Sequence, residues 1–178
     1  MGRDGKQPVI FMDRDGTIII DKIYLNDPQG VKFYKDVFIS MKKLQDAGYK
    51  FVIVTNQSGI ARGFVKRRNV LLIHKKIKDI LRKHGIKVYK IYFCPHHPDE
   101  GCGCRKPEIG MVKKILPKVD LKKSFMIGDL PTDIGFGKNL GVRTILIKRG
   151  KRSIPKPKPD FIVKNFYSAA RIILKQVK

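Results

Sequence analysis

The sequence predicts an α/β protein in which one parallel sheet is covered by helices on both faces. Three observations lead there. Short apolar runs of strand length recur along the chain. Between them lie segments whose apolar residues fall at helical spacing. The two patterns alternate, which calls for crossover connections and therefore parallel pairing.

Residues 9–12 (Val-Ile-Phe-Met) read as the first buried strand. A helix follows over 37–47, where Val37, Met41, Leu44 and Ala47 share a face and Gly48 marks the stop. Residues 51–54 (Phe-Val-Ile-Val) form a second strand. Over 70–81, Val70, Ile73, Ile77, Ile80 and Leu81 line a second helix that ends near Gly85. Residues 88–93 read as a strand, 111–116 as the start of a helix, and 124–127 as a strand. A helix over 133–140 and a strand over 144–147 follow. Residues 161–163 fit a short edge strand and 167–177 a closing helix. The prolines and cations of 151–159 mark a surface loop rather than a linker. With 178 residues and no internal repeat, the chain is expected to form one domain, 1–178, in a three-layer Rossmann-like arrangement.

Charge narrows the partners. Thirty-nine Lys+Arg against fifteen Asp+Glu give a net charge of +24, and Glu100 and Glu108 are the only glutamates. Extended Lys–Glu networks are therefore excluded, while a field of this sign attracts nucleic acid, anionic lipid or phosphorylated metabolites. The cations are scattered rather than gathered in a tail, as on a solvated surface. No apolar run approaches the roughly 18 residues of a membrane span. The short polar stretch 1–8 lacks the apolar core of a secretory signal, which predicts a cytoplasmic protein, and a monomer is expected.

Ligands of such folds bind beyond the carboxyl ends of the strands. The first strand runs into Asp13-Arg14-Asp15-Gly16-Thr17, the second into Thr55-Asn56, and a later one into Gly128-Asp129 with Asp133 four residues on. Carboxylates converging on one crevice repel each other unless a cation sits among them, and oxygen ligands favour Mg²⁺. Thr55 offers a hydroxyl and Lys106 a point charge to a phosphate. A carboxylate can attack phosphorus, cations can neutralise the phosphoryl oxygens, and a second acid can protonate the leaving alkoxide.

A second cluster lies at Cys94-Pro-His96-His97 and Cys102-Gly-Cys104-Arg105-Lys106. C-x-H followed by C-x-C supplies three thiolates and an imidazole, a closed tetrahedral site for Zn²⁺, with His96 favoured over His97 by the spacing. Such an ion folds a loop that has no core of its own and places Arg105 and Lys106.

These motifs resemble those of the haloacid dehalogenase-like phosphatases. Asp13-Arg14-Asp15-Gly16-Thr17 is similar to their first motif, Thr55 to the second, Lys106 to the third, and Gly128-Asp129 with Asp133 to the fourth. The resemblance implies Asp13 as nucleophile and Asp15 as general acid/base. It implies Mg²⁺ held by Asp13, Asp129 and the backbone carbonyl of Asp15. Thr55 and Lys106 would bind the transferring phosphoryl group, and Asp133 would orient Lys106 or a metal-bound water. The intervals 15–55 and 55–106 are each nearly consumed by one helix and one strand, so no large cap domain fits.

The Zn²⁺-binding loop resembles the subgroup of heptose-1,7-bisphosphate 7-phosphatases and histidinol-phosphate phosphatases. Residues 55–63 (Thr-Asn-Gln-Ser-Gly-Ile-Ala-Arg-Gly) favour the heptose enzymes, so a sugar bisphosphate is the expected substrate. By that resemblance Arg14, Asp21, Tyr24, Asn56, Gln57, Ser58 and Arg105 are expected substrate contacts. The five residues between His96 and Cys102 are the length associated with the histidinol-phosphate group. Residues 55–63 also resemble the phosphatase domain of polynucleotide kinase 3′-phosphatases, which makes a DNA 3′ end a further substrate class. The Cys/His loop argues against DNA, and Tyr89, Tyr92 and Phe93 read as strand residues rather than a stacking surface. A non-catalytic basic module is disfavoured because no motif residue is substituted.

Overall fold

The computed structural model describes residues 5–149 and 156–176. Six strands form one sheet: β1 Val9–Met12, β2 Lys50–Asn56, β3 Val88–Cys94, β4 Phe125–Gly128, β5 Arg143–Ile147 and β6 Phe161–Val163. Among the described residues four α-helices accompany them: α1 Val37–Asp46, α2 Arg67–Lys83, α3 Pro131–Leu140 and α4 Phe166–Lys175. The strand order is β3-β2-β1-β4-β5-β6, and every pairing is parallel. The chain works outward from β1 to one edge, returns beside β1, and works outward to the other. That reversal opens a crevice above the carboxyl ends of β1 and β4.

The pleat sorts the core into two layers. Ile10, Met12, Phe51, Ile53, Phe125, Ile127, Ile145 and Ile147 point toward α1, α2 and α4. Val9, Phe11, Val52, Val54 and Met126 point the other way, onto Phe136 and Leu140 of α3 and onto Val112 and Val119. Successive residues alternate faces with period two, and both faces are covered. The strands therefore read as continuous apolar runs. Each such burial contributes roughly 1.5–3 kcal/mol relative to exposure.

Helix ends follow local chemistry. Asn165 accepts from the Ser168 N–H at 2.8 Å and opens α4. Pro131 fits the first position of α3, where its missing N–H leaves nothing unpaired. Asp36 precedes α1 but gives its carboxylate to the Tyr167 N–H at 2.9 Å, tying α1 to α4.

The structure departs from the sequence expectations in places. Residues 113–118 form 3-10 turns rather than an α-helix, because Pro117 lacks an N–H and its ring would clash with the preceding turn. Helix α2 begins at Arg67, before its first apolar residue, and its buried face takes His74 while Ile80 is only half-buried. Thr55 lies inside β2 rather than beyond it. Short 3-10 turns at Pro28–Gly30, Pro98–Glu100 and Leu121–Lys123 carried no periodic signal. Of the expected 151–159 loop, 156–159 form neither helix nor strand, and 151–155 lie outside the described residues, as does residue 177 of the closing helix. Among the described residues no helix is long and apolar enough to cross a membrane.

Candidate functional site

Register brings the acids together. Met12 pairs with Ile53 of β2 and with Ile127 of β4, so Asp13 leaves β1 level with Gly128-Asp129. The Asp13 N–H donates to the Ile127 carbonyl at 2.9 Å. Lys106 enters from the opposite side. Its ammonium donates to Asp13 Oδ1 at 2.6 Å, to Asp133 Oδ1 at 2.7 Å and to the Val54 carbonyl at 2.7 Å. All three ammonium protons are thereby used in a buried setting. Burial alone would strip the proton from Lys106, but Asp13 and Asp133 outweigh it and hold the group charged well above its ordinary range. Burial pushes the Asp13 carboxyl well above its ordinary range; Lys106 pulls it back, while Asp133, Asp15 and Asp129 push it further up. A cation among these carboxylates would relieve that repulsion.

Asp133 is fully buried and fully committed. Beyond Lys106, its second oxygen accepts from the N–H groups of Asp129 at 3.1 Å and Leu130 at 2.9 Å, capping α3. Gly128 permits this, because a Cβ there would meet the Asp133 Cβ at 2.2 Å. Gly16 does the same for Asp129. It has φ +76, and a Cβ would lie 2.4 Å from Asp129 Oδ2. Arg149, a residue that sequence reasoning missed, donates to the Gly16 carbonyl at 3.0 Å and stacks over the Tyr34 ring at 3.5 Å. Carboxylate oxygens of Asp13, Asp129 and Asp133 lie within 4.8 Å of one another. Since Asp133 serves Lys106 and the helix, Asp13 and Asp129 are the pair that borders the crevice, a donor set that fits Mg²⁺.

Asp15 sits beside them, gripped from behind. Arg14 donates to it from Nε at 2.9 Å and from Nη2 at 3.1 Å, and Gln57 Nε2 donates at 3.0 Å. Arg14 was expected to touch substrate. Its side chain is 1% exposed, however, because the guanidinium turns inward onto Asp15 and onto His74 Nε2 at 3.1 Å. Gln57 and Asn56 line the crevice, and their amides are also bonded to neighbours. Gln57 also donates to Thr55 Oγ1 at 2.8 Å. Asn56 clamps the backbone of Lys106, donating to its carbonyl at 3.1 Å and accepting its N–H at 3.0 Å. These amides hold catalytic candidates in place.

The expected contacts all line an open crevice of about 370 Å³. Asp21, Tyr24, Ser58 and Arg105 line it together with Lys106. Tyr24 has φ 55, and its ring packs on Phe64 with centroids 4.8 Å apart. Buried Nη1 of Arg105 has no hydrogen-bond partner among the described residues.

Cys94 at the end of β3 meets His96, Cys102 and Cys104. Cys94 Sγ lies 3.5 Å from His96 Nδ1 and 3.5 Å from Cys102 Sγ; Cys104 Sγ lies 3.2 Å from His96 Nδ1 and 3.6 Å from Cys102 Sγ. A tetrahedron of thiolates about 2.3 Å from an ion has edges of about 3.8 Å, so the cluster fits one ion of zinc's size. Burial pushes the Cys94 thiol up to about 12. At Cys102 burial is outweighed by hydrogen bonds from the Cys104 and Arg105 backbone and from Cys94, which bring it to about 7.

This arrangement has relatives. The family model described as polynucleotide kinase 3 phosphatase matches residues 8–148. A D-glycero-alpha-D-manno-heptose-1,7-bisphosphate 7-phosphatase of Photorhabdus laumondii is 32% identical over 178 residues, covering 94% of this chain and 97% of that protein. The histidine biosynthesis bifunctional protein HisB of Campylobacter jejuni is 37% identical over 142 residues, 77% of this chain but 40% of that protein. A crystal structure of D,D-heptose 1,7-bisphosphate phosphatase from B. bronchiseptica, complexed with magnesium and phosphate, superposes with a TM-score of 0.83 at 28% identity, covering 95% of this chain and 99% of that one. Fold, motif order and relatives agree, and the chain belongs to the polynucleotide kinase 3 phosphatase family of haloacid dehalogenase-like phosphatases.

Proposed function

We propose that the chain removes the 7-phosphate of a heptose 1,7-bisphosphate. The observation that carries this reading is the pairing of Arg105 with Lys106 in one crevice. Lys106 belongs to the carboxylate end, where a phosphoryl group would react. Arg105 borders the same crevice with a buried, unpartnered Nη1, and a guanidinium is suited to a second phosphate. A crevice of about 370 Å³ is of small-metabolite size. The relatives named for heptose bisphosphate support the substrate class.

In this reading Asp13 Oδ2 attacks phosphorus while Lys106 holds Oδ1. The phosphoryl group passes to Asp13 as an aspartyl-phosphate, and the sugar oxygen leaves with a proton from Asp15. Asp15 then takes a proton from the water that hydrolyses the intermediate. Thr55, whose hydroxyl accepts from Gln57 and keeps its own proton to donate, binds a phosphoryl oxygen, and the Lys106 ammonium beside Asp13 offsets the charge of the phosphoryl group. Mg²⁺ held by Asp13, Asp129 and the Asp15 carbonyl would neutralise charge on those oxygens. Zn²⁺ at Cys94, His96, Cys102 and Cys104 would shape the loop that delivers Arg105 and Lys106.

The test is kcat/KM with Mg²⁺ on heptose 1,7-bisphosphate, histidinol phosphate and a 3′-phosphorylated oligonucleotide. A preference of about 100-fold for the bisphosphate, about 2.7 kcal/mol of transition-state discrimination, is expected. Arg105→Gln should erase most of it. A preference for histidinol phosphate would favour the reading suggested by the five-residue His96–Cys102 spacing and by HisB. A preference for the oligonucleotide would overturn the substrate while leaving the catalytic roles intact.

A further inference from the structure

His74 lies on the buried face of α2, 6% exposed, and the chemistry above gives it no part. Its surroundings are specific. Nε2 is 3.1 Å from Arg14 Nη1. A guanidinium carries donors only, so Nε2 accepts and the imidazole proton sits on Nδ1. Burial, with Arg14 beside it, lowers the His74 pKa to about 3, which keeps the ring neutral and able to accept. The ring is also steered from its edge. Phe93 packs against it at 5.4 Å and 68°, and Arg67 lies over the Phe93 ring at 5.1 Å.

Arg14 is the largest of the fully buried side chains. Two of its donor positions, Nε and Nη2, fork onto the Asp15 carboxylate. The third, Nη1, goes to His74. A plane held at two edges is fixed; held at one, it can swing. Without an acceptor at position 74 the guanidinium would bury an unpaired donor, so it would turn toward another partner and carry Asp15 with it.

We propose that His74 is a positioning residue for Asp15, fixing through Arg14 the plane in which that carboxyl meets the leaving oxygen. The inference rests on the reading of Asp15 as general acid/base. It predicts an effect on one class of substrate only. An alkyl phosphate, such as glycerol phosphate, needs its leaving oxygen protonated. p-Nitrophenyl phosphate expels a stable phenolate and needs little help.

The experiment compares His74→Met with His74→Gln, side chains of similar length. Gln keeps an acceptor oxygen near the place of Nε2, and Met does not. The readout is kcat/KM, which reports the step that expels the leaving group. The ratio of alkyl to aryl kcat/KM should fall about tenfold or more in His74→Met and stay within about threefold of wild type in His74→Gln. Asp15→Asn is measured alongside. If its ratio does not fall, the acid assignment to Asp15 fails. If its ratio falls while His74→Met keeps the wild-type ratio, or if Met and Gln behave alike, the role of His74 is refuted. Nitrogen-15 NMR of the wild-type protein decides the case if His74→Met does not fold. Nε2 should be unprotonated at neutral pH, and a proton there would overturn the assignment.

Discussion

Gly16→Ala separates two demands that the structure places on one residue. Gly16 has φ +76, where an L side chain costs about 1–2 kcal/mol. Its Cβ would also stand 2.4 Å from Asp129 Oδ2 and 2.7 Å from Asp129 Cγ. Restoring ordinary contact requires the carboxylate to move by roughly 1 Å. The loop cannot easily move instead, because Arg149 holds the Gly16 carbonyl and Gly16 N–H donates to the Ile19 carbonyl at 2.9 Å. Mg²⁺ tolerates little distortion from ligands at about 2.1 Å, so a shift of that size removes a ligand. Gly141→Ala is the control, with φ +73 at the end of α3 and nothing within 4 Å of the added Cβ. Urea unfolding should show similar losses of about 1–2 kcal/mol for both variants. Mg²⁺ titration of activity, and of binding by calorimetry, should show at least tenfold weaker Mg²⁺ affinity for Gly16→Ala alone. If Gly16→Ala retains the wild-type Mg²⁺ affinity, Asp129 is not the ligand that its close approach to Gly16 implies.

Three further outcomes are expected. Asp13→Asn should abolish Mg²⁺-dependent hydrolysis while far-UV circular dichroism stays native; turnover near wild type would remove Asp13 as nucleophile. Cys102→Ala should release roughly one equivalent of Zn²⁺ and lower Tm, and unchanged metal content would refute the zinc assignment. His74 also predicts an acid limb. Its pKa is about 3 when folded against an ordinary 6.5, so protons favour the unfolded chain. Its contribution is complete above about pH 6.5 and is lost as pH falls toward 3, on the order of 5 kcal/mol in all. Urea unfolding of His74→Gln across that window should show a flatter decline than wild type, and parallel curves would refute it.

Position along the chain was easier to read than direction. The strands were legible because both sheet faces are covered, which turns them into uninterrupted apolar runs. Asp13, Asp129 and Lys106 were legible because each stands at a strand end or directly after a metal-binding pattern. Arg14 stands beside Asp13, and Asn56 and Gln57 follow Thr55; the resemblance made them expected substrate contacts. Only the fold reveals that Arg14 and Gln57 turn to Asp15 while Asn56 reaches the Lys106 backbone. His74 escaped notice because a histidine among Val70, Ile73 and Ile77 interrupts the apolar pattern rather than adding to it. Its spacing within that face was the available signal. Arg149 gave no local signal, since its partner Gly16 is 133 positions away.

The two halves of the site are held by different means. Asp13 and Asp129 come from the ends of strands, where the ladder of β1 against β4 sets their backbone. Lys106 and Arg105 come from a segment with neither α-helix nor strand, between Cys94 and β4. Nothing periodic positions that segment, so discrete clamps must. Asn56 grips the Lys106 backbone through both of its polar groups, Gly110 N–H donates to the Gly103 carbonyl at 2.9 Å, and the Cys/His cluster gathers the loop just upstream. A buried lysine between two carboxylates needs this precision, because a 1 Å error would leave charges unpaired where water cannot reach them. The cationic half of the site is therefore the part that would suffer first without an ion at the Cys/His cluster, while the sheet that carries Asp13 has its own core to hold it.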